Sequence, residues 1–154
     1  MRDELMDLLR LKSVSRQGWL NAGVPTPESV AAHSWGMAIL GLRLCPPELD
    51  LARVLSLCLI HDLPEVVVGD LTPLDDRTTK AADEHAAMLS LAPQWVALFE
   101  EYEAGSSKEA VFVHRLDKLD MALQAGLYTM ETGLDLQAFV ESARHLLGDD
   151  PLLG

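Results

Sequence analysis

Residues 107–131, SKEAVFVHRLDKLDMALQAGLYTME, carry Phe112, Leu116, Leu119, Leu123, Leu127 and Met130 at intervals of three and four. That period lines one face of an α-helix and does not match the two-residue alternation of a strand. It is the longest helical pattern in the chain, and the rest of the sequence reads the same way.

Strand signals are nearly absent. Residues 3–12, DELMDLLRLK, predict a short amphipathic helix, and residues 13–27, SVSRQGWLNAGVPTP, a loop rich in Gly, Pro and Ser. In TPESV, Thr26 is placed to cap a helix, with Pro27 in its first position and Glu28 complementing its dipole. This helix is expected to run to about Cys45, where two prolines stop it. Its apolar seam is Val30, Met37, Leu40 and Leu44, and His33 falls within that seam. A second helix, from about Leu49 to His61, is apolar on nearly all sides and is expected to be central. Residues 78–91 and 93–104 predict two helices divided at Pro93, and residues 135–147 predict a closing helix. The valines at 66–68 suit a short strand or a helical turn equally. With no repeat, low-complexity tract or linker, the expected fold class is all-α, a single bundle-like domain over residues 1–154.

The formal net charge is −12, which argues against binding a nucleic-acid polymer through a basic surface. A small anionic substrate stays open, provided a metal or an arginine overrides the global field locally. Cys45 and Cys58 sit in apolar surroundings without CxxC spacing, which fits free thiols in a reducing compartment. The first residues, MRDELMDLLR, have no apolar signal region, and no apolar stretch approaches bilayer length. The expected location is the cytoplasm, with no membrane partner.

His33, His61, Asp62 and Asp117 share an anomaly: each sits on or beside an apolar helical face. Taken singly, each has an ordinary explanation. A histidine on an apolar face is often a hydrogen-bonded core residue. Asp62 could cap a helix in DLPE with Glu65 reaching back, and Asp117 could pair with a cation on a neighbouring helix. Taken together, the four call for a common partner, because burying such groups unpaired is costly. One divalent cation satisfies them all, and imidazole with carboxylate suits Mn, Co, Fe or Zn. The break at Pro64 frees the adjacent His61 and Asp62 from strict helical spacing, so both can turn inward.

The order His33, then HD at 61–62, then Asp117 resembles the HD-domain metal-dependent phosphohydrolases. The segments RQGW, PESVAAHS, HDLPEVVVGDLTP and LDKLDMALQA follow one another as in the HD-domain 5′-deoxynucleotidases, and this likeness covers roughly residues 5–130. The C-terminal helix adds little to it. The resemblance implies an all-helical HD domain holding one metal ion per chain through His33, His61, Asp62 and Asp117. It implies that Glu65 orients or deprotonates the attacking water, and that Asp70 contacts the nucleoside sugar, with Gly69 allowing close approach. Trp19 would line the nucleotide pocket or serve as a core tryptophan. Arg16 is the candidate phosphate fork, with Arg77 and Lys80 as rival cations. Where relatives commonly carry an acid before the first histidine, this chain has Ala32, whose missing carboxylate could weaken support for the site. His85 and His114 are expected at the surface, although His114 lies one turn before Asp117.

The leading expectation is therefore a phosphomonoesterase acting on deoxyribonucleoside 5′-monophosphates. The alternatives are an HD-type phosphodiesterase, a phosphatase of another phosphorylated metabolite, or a domain that binds nucleotides without hydrolysis. Relatives suggest a homodimer.

Overall fold

In the computed structural model, which describes residues 1–154, the first histidine's helix starts three residues later than TPESV predicts. Ser29, not Thr26, is the cap: its Oγ accepts the Ala32 N–H at 3.1 Å. The chain before it is committed elsewhere. Residues 14–16 run antiparallel to residues 28–30, with Val30 N–H donating to Val14 O at 2.8 Å and Arg16 N–H to Glu28 O at 3.1 Å. Those bonds hold Glu28 outside the helix, before its Ser29 cap.

The helices are α1 (Arg2–Leu9), α2 (Gln17–Asn21), α3 (Val30–Leu44), α4 (Leu51–Ile60), α5 (Glu65–Val68), α6 (Lys80–Leu91), α7 (Val96–Ala104), α8 (Lys108–Thr132) and α9 (Gln137–Leu147). Short 3-10 turns cover Arg10–Ser13, Pro93–Trp95 and Pro151–Leu153. The all-α expectation holds, and the valines at 66–68 belong to a helical turn. The predicted loop at 13–27 contains α2, a single helical turn whose Trp19 is buried. None of the helices is long and apolar enough to cross a membrane, and Cys45 and Cys58 are both free thiols.

Helices α3, α4 and α8 pack on one another at the centre, where Met37, Val54, Leu57, Val113 and Leu116 form one core with Tyr102 of α7. A second core joins Leu11, Val30, Ile60, Met88 and Phe99, so α6 and α7 close the side nearest the end of α4. Helix α9 lies along α8, with Ala143 and Leu147 against Leu119 and Ala122.

Helix α4 is central as expected, although only Val54, Leu57, Cys58 and Ile60 are buried while Leu51 and Leu59 are exposed. One burial expectation is corrected. On α8 the leucine stripe predicts the buried face only as far as Leu119. Beyond it, Ala122, Ala125 and Tyr128 are buried, and Leu123, Leu127 and Met130 are exposed. Small side chains let α9 and the α2 turn approach α8 closely, and packing at short range outweighs the larger transfer energy of leucine.

Candidate active site

The end of α4 breaks where the sequence places His61-Asp62-Leu63-Pro64. His61 keeps a helical bond to Leu57 O, and Glu65 N–H closes a turn onto Asp62 O at 3.0 Å. Asp62 therefore stands in a turn between α4 and α5 and makes no side-chain cap; the capping-box explanation of DLPE is not what forms. His61 and Asp62 both face inward, with His61 Nε2 2.9 Å from Asp62 Oδ2.

His33 comes from the first turns of α3 and Asp117 from the middle of α8, and the crossing of these helices brings them together. Asp117 Oδ1 lies 3.1 Å from His33 Nε2, and Asp62 Oδ2 lies 4.0 Å from the same nitrogen. The two imidazole rings stand edge to face with centroids 5.5 Å apart. Ligating atoms of His33, His61 and Asp62 all fall within 4.8 Å of one another.

The far side of each ring is fixed. His61 Nδ1 lies 2.9 Å from Cys58 O, to which it donates, and His33 Nδ1 lies 2.7 Å from Asp120 Oδ2. That arrangement leaves the Nε2 lone pairs pointing into the cluster. Both Nε2 atoms are buried and neither makes a hydrogen bond, although carboxylate oxygens stand close by. Two orphaned imidazole nitrogens beside two buried carboxylates are the donor set of a divalent cation, and they fit that group.

Without an ion, the same carboxylates favour a proton on His33, in the place a cation would take. Burial works against a charged His33, but Asp117 and Asp120 outweigh it and lift its pKa to about 9. Burial likewise opposes ionisation of Asp62 and Asp117, yet the imidazoles hold both carboxyls below their ordinary range, with Arg16 assisting at Asp62 and Lys118 at Asp117. Glu65 is buried among like charges. Desolvation, Asp62 and Asp70 push its pKa well up, and its Oε2 has no hydrogen-bond partner.

The HD domain family model matches residues 8–149. This chain belongs to the HD domain family. Among its relatives are the 5′-deoxynucleotidase HDDC2 of Bos taurus, 40% identical over 77% of this chain, and the 5′-deoxynucleotidase hdd1 of Schizosaccharomyces pombe, 37% identical over 76%. The chain spans 63% and 66% of the length of those two proteins, respectively. Among solved structures, a conserved hypothetical protein from Pyrococcus furiosus superposes with a TM-score of 0.86 at 34% identity, covering 94% of this chain and 90% of the other.

Around the cluster, this HD domain opens a cavity of about 490 Å³ lined by Arg16, Trp19, Asp62, Glu65, Asp70, Arg77, Lys80, Tyr102, His114, Asp117 and Lys118, among others. Every sequence-predicted site residue reaches either the cluster or this cavity. Arg16 lies 3.9 Å from Asp62 and 4.0 Å from Glu28. Trp19 is both a core residue and part of the cavity wall: it packs on Tyr128 and Phe139, and its Nε1–H donates to Glu28 Oε1 at 3.0 Å. Asp70 is half-buried, and its Oδ2 accepts the Gln17 N–H at 2.7 Å. Gly69 turns the chain there at φ +78°, a conformation that favours glycine.

Of the rival cations, Lys80 is paired with Glu84 at 3.2 Å and Arg77 is exposed. Ala32 is exposed, next to the buried His33. His85 bonds Glu100 at 2.8 Å on the surface, as expected, and His145 is exposed. His114 is not a surface histidine. It stacks on Tyr102 with centroids 4.1 Å apart, and its Nε2 is held by Tyr102 O at 2.8 Å.

Sequence reasoning missed three contributors. Asp120 escaped notice although it follows Asp117 by one helical turn on the same apolar-bordered face. Lys118, 3.4 Å from Asp117, carried no distinguishing signal. Helix α9, which the resemblance undervalued, supplies Ala138, Phe139 and Ser142 to the cavity wall.

Proposed function

We propose that this HD domain, acting as one unit over residues 1–154, hydrolyses deoxyribonucleoside 5′-monophosphates to nucleoside and phosphate with one divalent cation per chain. The observation that carries the reading is the pair of buried, hydrogen-bond-free Nε2 atoms on His33 and His61 beside Asp62 and Asp117. The names of the bovine and fission-yeast relatives support the substrate class.

His33, His61, Asp62 and Asp117 would hold the ion, and their imidazole and carboxylate donors suit Mn, Co, Fe or Zn. Such an ion supplies Lewis acidity, bringing the pKa of water to about 7 and polarising a phosphoryl oxygen. Glu65 takes the proton of the attacking water. Desolvation beside Asp62 and Asp70 raises its affinity for a proton, and a bound cation would offset part of that rise, so that the carboxylate would be ionised before it takes the proton. Arg16, tethered through its backbone to Glu28 and directed at the acid cluster, binds the phosphate with its planar fork. Asp70 meets the sugar at the rim, and Trp19 forms the wall behind it. The nucleoside O5′ leaves as the P–O bond breaks and takes up a proton.

The reading extends to partners and place. A cavity of this size suits a mononucleotide and no nucleic-acid polymer, in keeping with the −12 charge. Free Cys45 and Cys58 fit the reducing cytoplasm. Exposed Trp35, Ile39 and Leu42 on α3 and Leu123, Leu127 and Met130 on α8 support a homodimer. Sedimentation of the purified chain checks the dimer, which a monomer at micromolar concentration would refute.

Chelation followed by return of Mn or Co tests the reaction, with deoxy- and ribonucleoside 5′-monophosphates and cyclic nucleotides offered side by side. Metal-dependent phosphate release from the deoxynucleotides is expected. Turnover of cyclic nucleotides alone would assign a phosphodiesterase instead, and binding without turnover would leave a nucleotide-binding domain.

A further inference from the structure

His33 is enclosed more elaborately than His61. Asp117 approaches its Nε2 and Asp120 its Nδ1, from positions one helical turn apart on α8. The ring is fully buried between two carboxylates, one for each nitrogen. On α3, the residue one turn after His33 is Gly36, and it faces Asp120. A Cβ built there would fall well inside van der Waals contact of Asp120 Oδ1 and 3.1 Å from its Cγ. Gly36 is in regular helix with no positive φ, so no backbone conformation demands glycine at this point. What demands it is the carboxylate. Alanine is favoured over glycine in a helix interior, so the chain forgoes helix stability where Asp120 enters.

We infer that Asp120 is a positioning residue for His33, seated in a slot that Gly36 opens between α3 and α8, and that this pairing sets the metal affinity of the site. The inference rests on the metal reading above. With its Nδ1–H directed at Asp120, the imidazole keeps its Nε2 lone pair for the cage and cannot rotate away from it. The carboxylate also makes the ring a stronger donor. The neighbouring Glu28 carboxylate is taken by Trp19 Nε1–H, with Arg16 4.0 Å away, which leaves Asp120 as the acceptor that His33 uses. His61 has only a neutral carbonyl, that of Cys58, in the equivalent place. The two histidines therefore contribute unequally.

The test is calorimetric titration of metal-stripped protein with Mn²⁺ alone, without substrate, supported by the visible spectrum of the Co²⁺ form. Asp120→Ala should bind about 10- to 100-fold more weakly than wild type. Asp120→Asn, which keeps an oxygen to accept from Nδ1 but loses the charge, should fall between Asp120→Ala and wild type, whereas a purely structural role would let this isosteric side chain restore wild-type affinity. Gly36→Ala should weaken binding by displacing the carboxylate. The double variant Gly36→Ala with Asp120→Ala should bind no more weakly than Asp120→Ala, since the methyl then fills vacated space. Should Asp120→Ala fail to fold, Asp120→Asn and Gly36→Ala carry the same comparison. Wild-type affinity in Asp120→Ala, or losses that add in the double variant, would overturn the inference while leaving the metal reading intact. A wild-type protein that takes up neither Mn²⁺ nor Co²⁺ would overturn both.

Discussion

The Asp70 carboxylate accepts the backbone N–H of Gln17 at 2.7 Å, so the turn after α5 holds the first residue of α2 across 53 positions of sequence. Helix α2 has no cap of its own, and Asp70 supplies one from outside. Arg16 is the residue just before that bond. Asp70→Ala should lower stability by about 1 kcal/mol and raise KM for nucleotide several-fold through a loosened Arg16. Asp70→Asn, which keeps an acceptor, should restore the melting temperature but not the KM if the carboxylate also meets the sugar. Thermal melts and steady-state kinetics read the two effects separately, and an Asn variant as unstable as the Ala variant would remove the tether from the account.

Glu65 is assigned to the attacking water and not to the ion, and the two roles separate experimentally. Glu65→Gln should retain the metal content of wild type while kcat falls by at least about 100-fold, the usual weight of a general base. Elemental analysis beside phosphate release checks it. Full turnover in this variant would show that another group takes the proton.

His33 links metal to proton. Its folded pKa, about 9, lies above the ordinary 6.5, so in metal-free protein its charge stabilises the fold fully below pH 6.5. That contribution is lost as pH rises through 9. Metal-free protein should therefore melt at progressively lower temperature between pH 6.5 and 9. The same nitrogen must lose its proton to bind an ion, so metal uptake at pH 7 should release protons and strengthen as pH rises. Calorimetry in buffers of differing ionisation enthalpy counts those protons, and uptake without release would place the ion elsewhere.

The elements that sequence made legible are those whose signal is local. The seam of α3 and the anomalous His33 within it, the break after His61 and the acid beside the stripe of α8 all follow from spacing, and the four groups do converge. What escaped depends on the partner helix. Nothing near Leu123 announces that Ala122 and Ala125 will be buried instead, because that is decided by how closely α9 approaches. Glu28 read as a helix-dipole partner because TPESV is a valid start. The competing start at Ser29 wins only once residues 14–16 pair with residues 28–30. Asp120 is the instructive case: its spacing from Asp117 was visible, but its value depends on Gly36, a residue whose absent side chain leaves no mark in a hydrophobic pattern.

Trp19 and Glu28 form the other buried polar contact that shapes the cavity, and it can be cut without emptying the core. Glu28 is mostly buried; desolvation raises its carboxyl pKa, and the indole N–H opposes that rise. Trp19→Phe keeps an aromatic ring against Tyr128 and Phe139 but removes the donor. An acceptor left unpaired in that position should cost about 1–3 kcal/mol. It should also free Glu28 to compete for Arg16, which lies 4.0 Å away and faces Asp62 as well. The expected kinetic signature is a raised KM with kcat nearly unchanged, because Arg16 serves binding in this scheme and Glu65 serves the proton. Trp19→Leu, which loses ring packing too, should be less stable still, by the additional cost of a partly empty aromatic site. Denaturant melts of the two variants, with KM and kcat measured on a deoxynucleoside 5′-monophosphate, distinguish the effects. A Phe variant that matches wild type in both stability and KM would mean that the indole hydrogen bond carries no weight in holding Arg16.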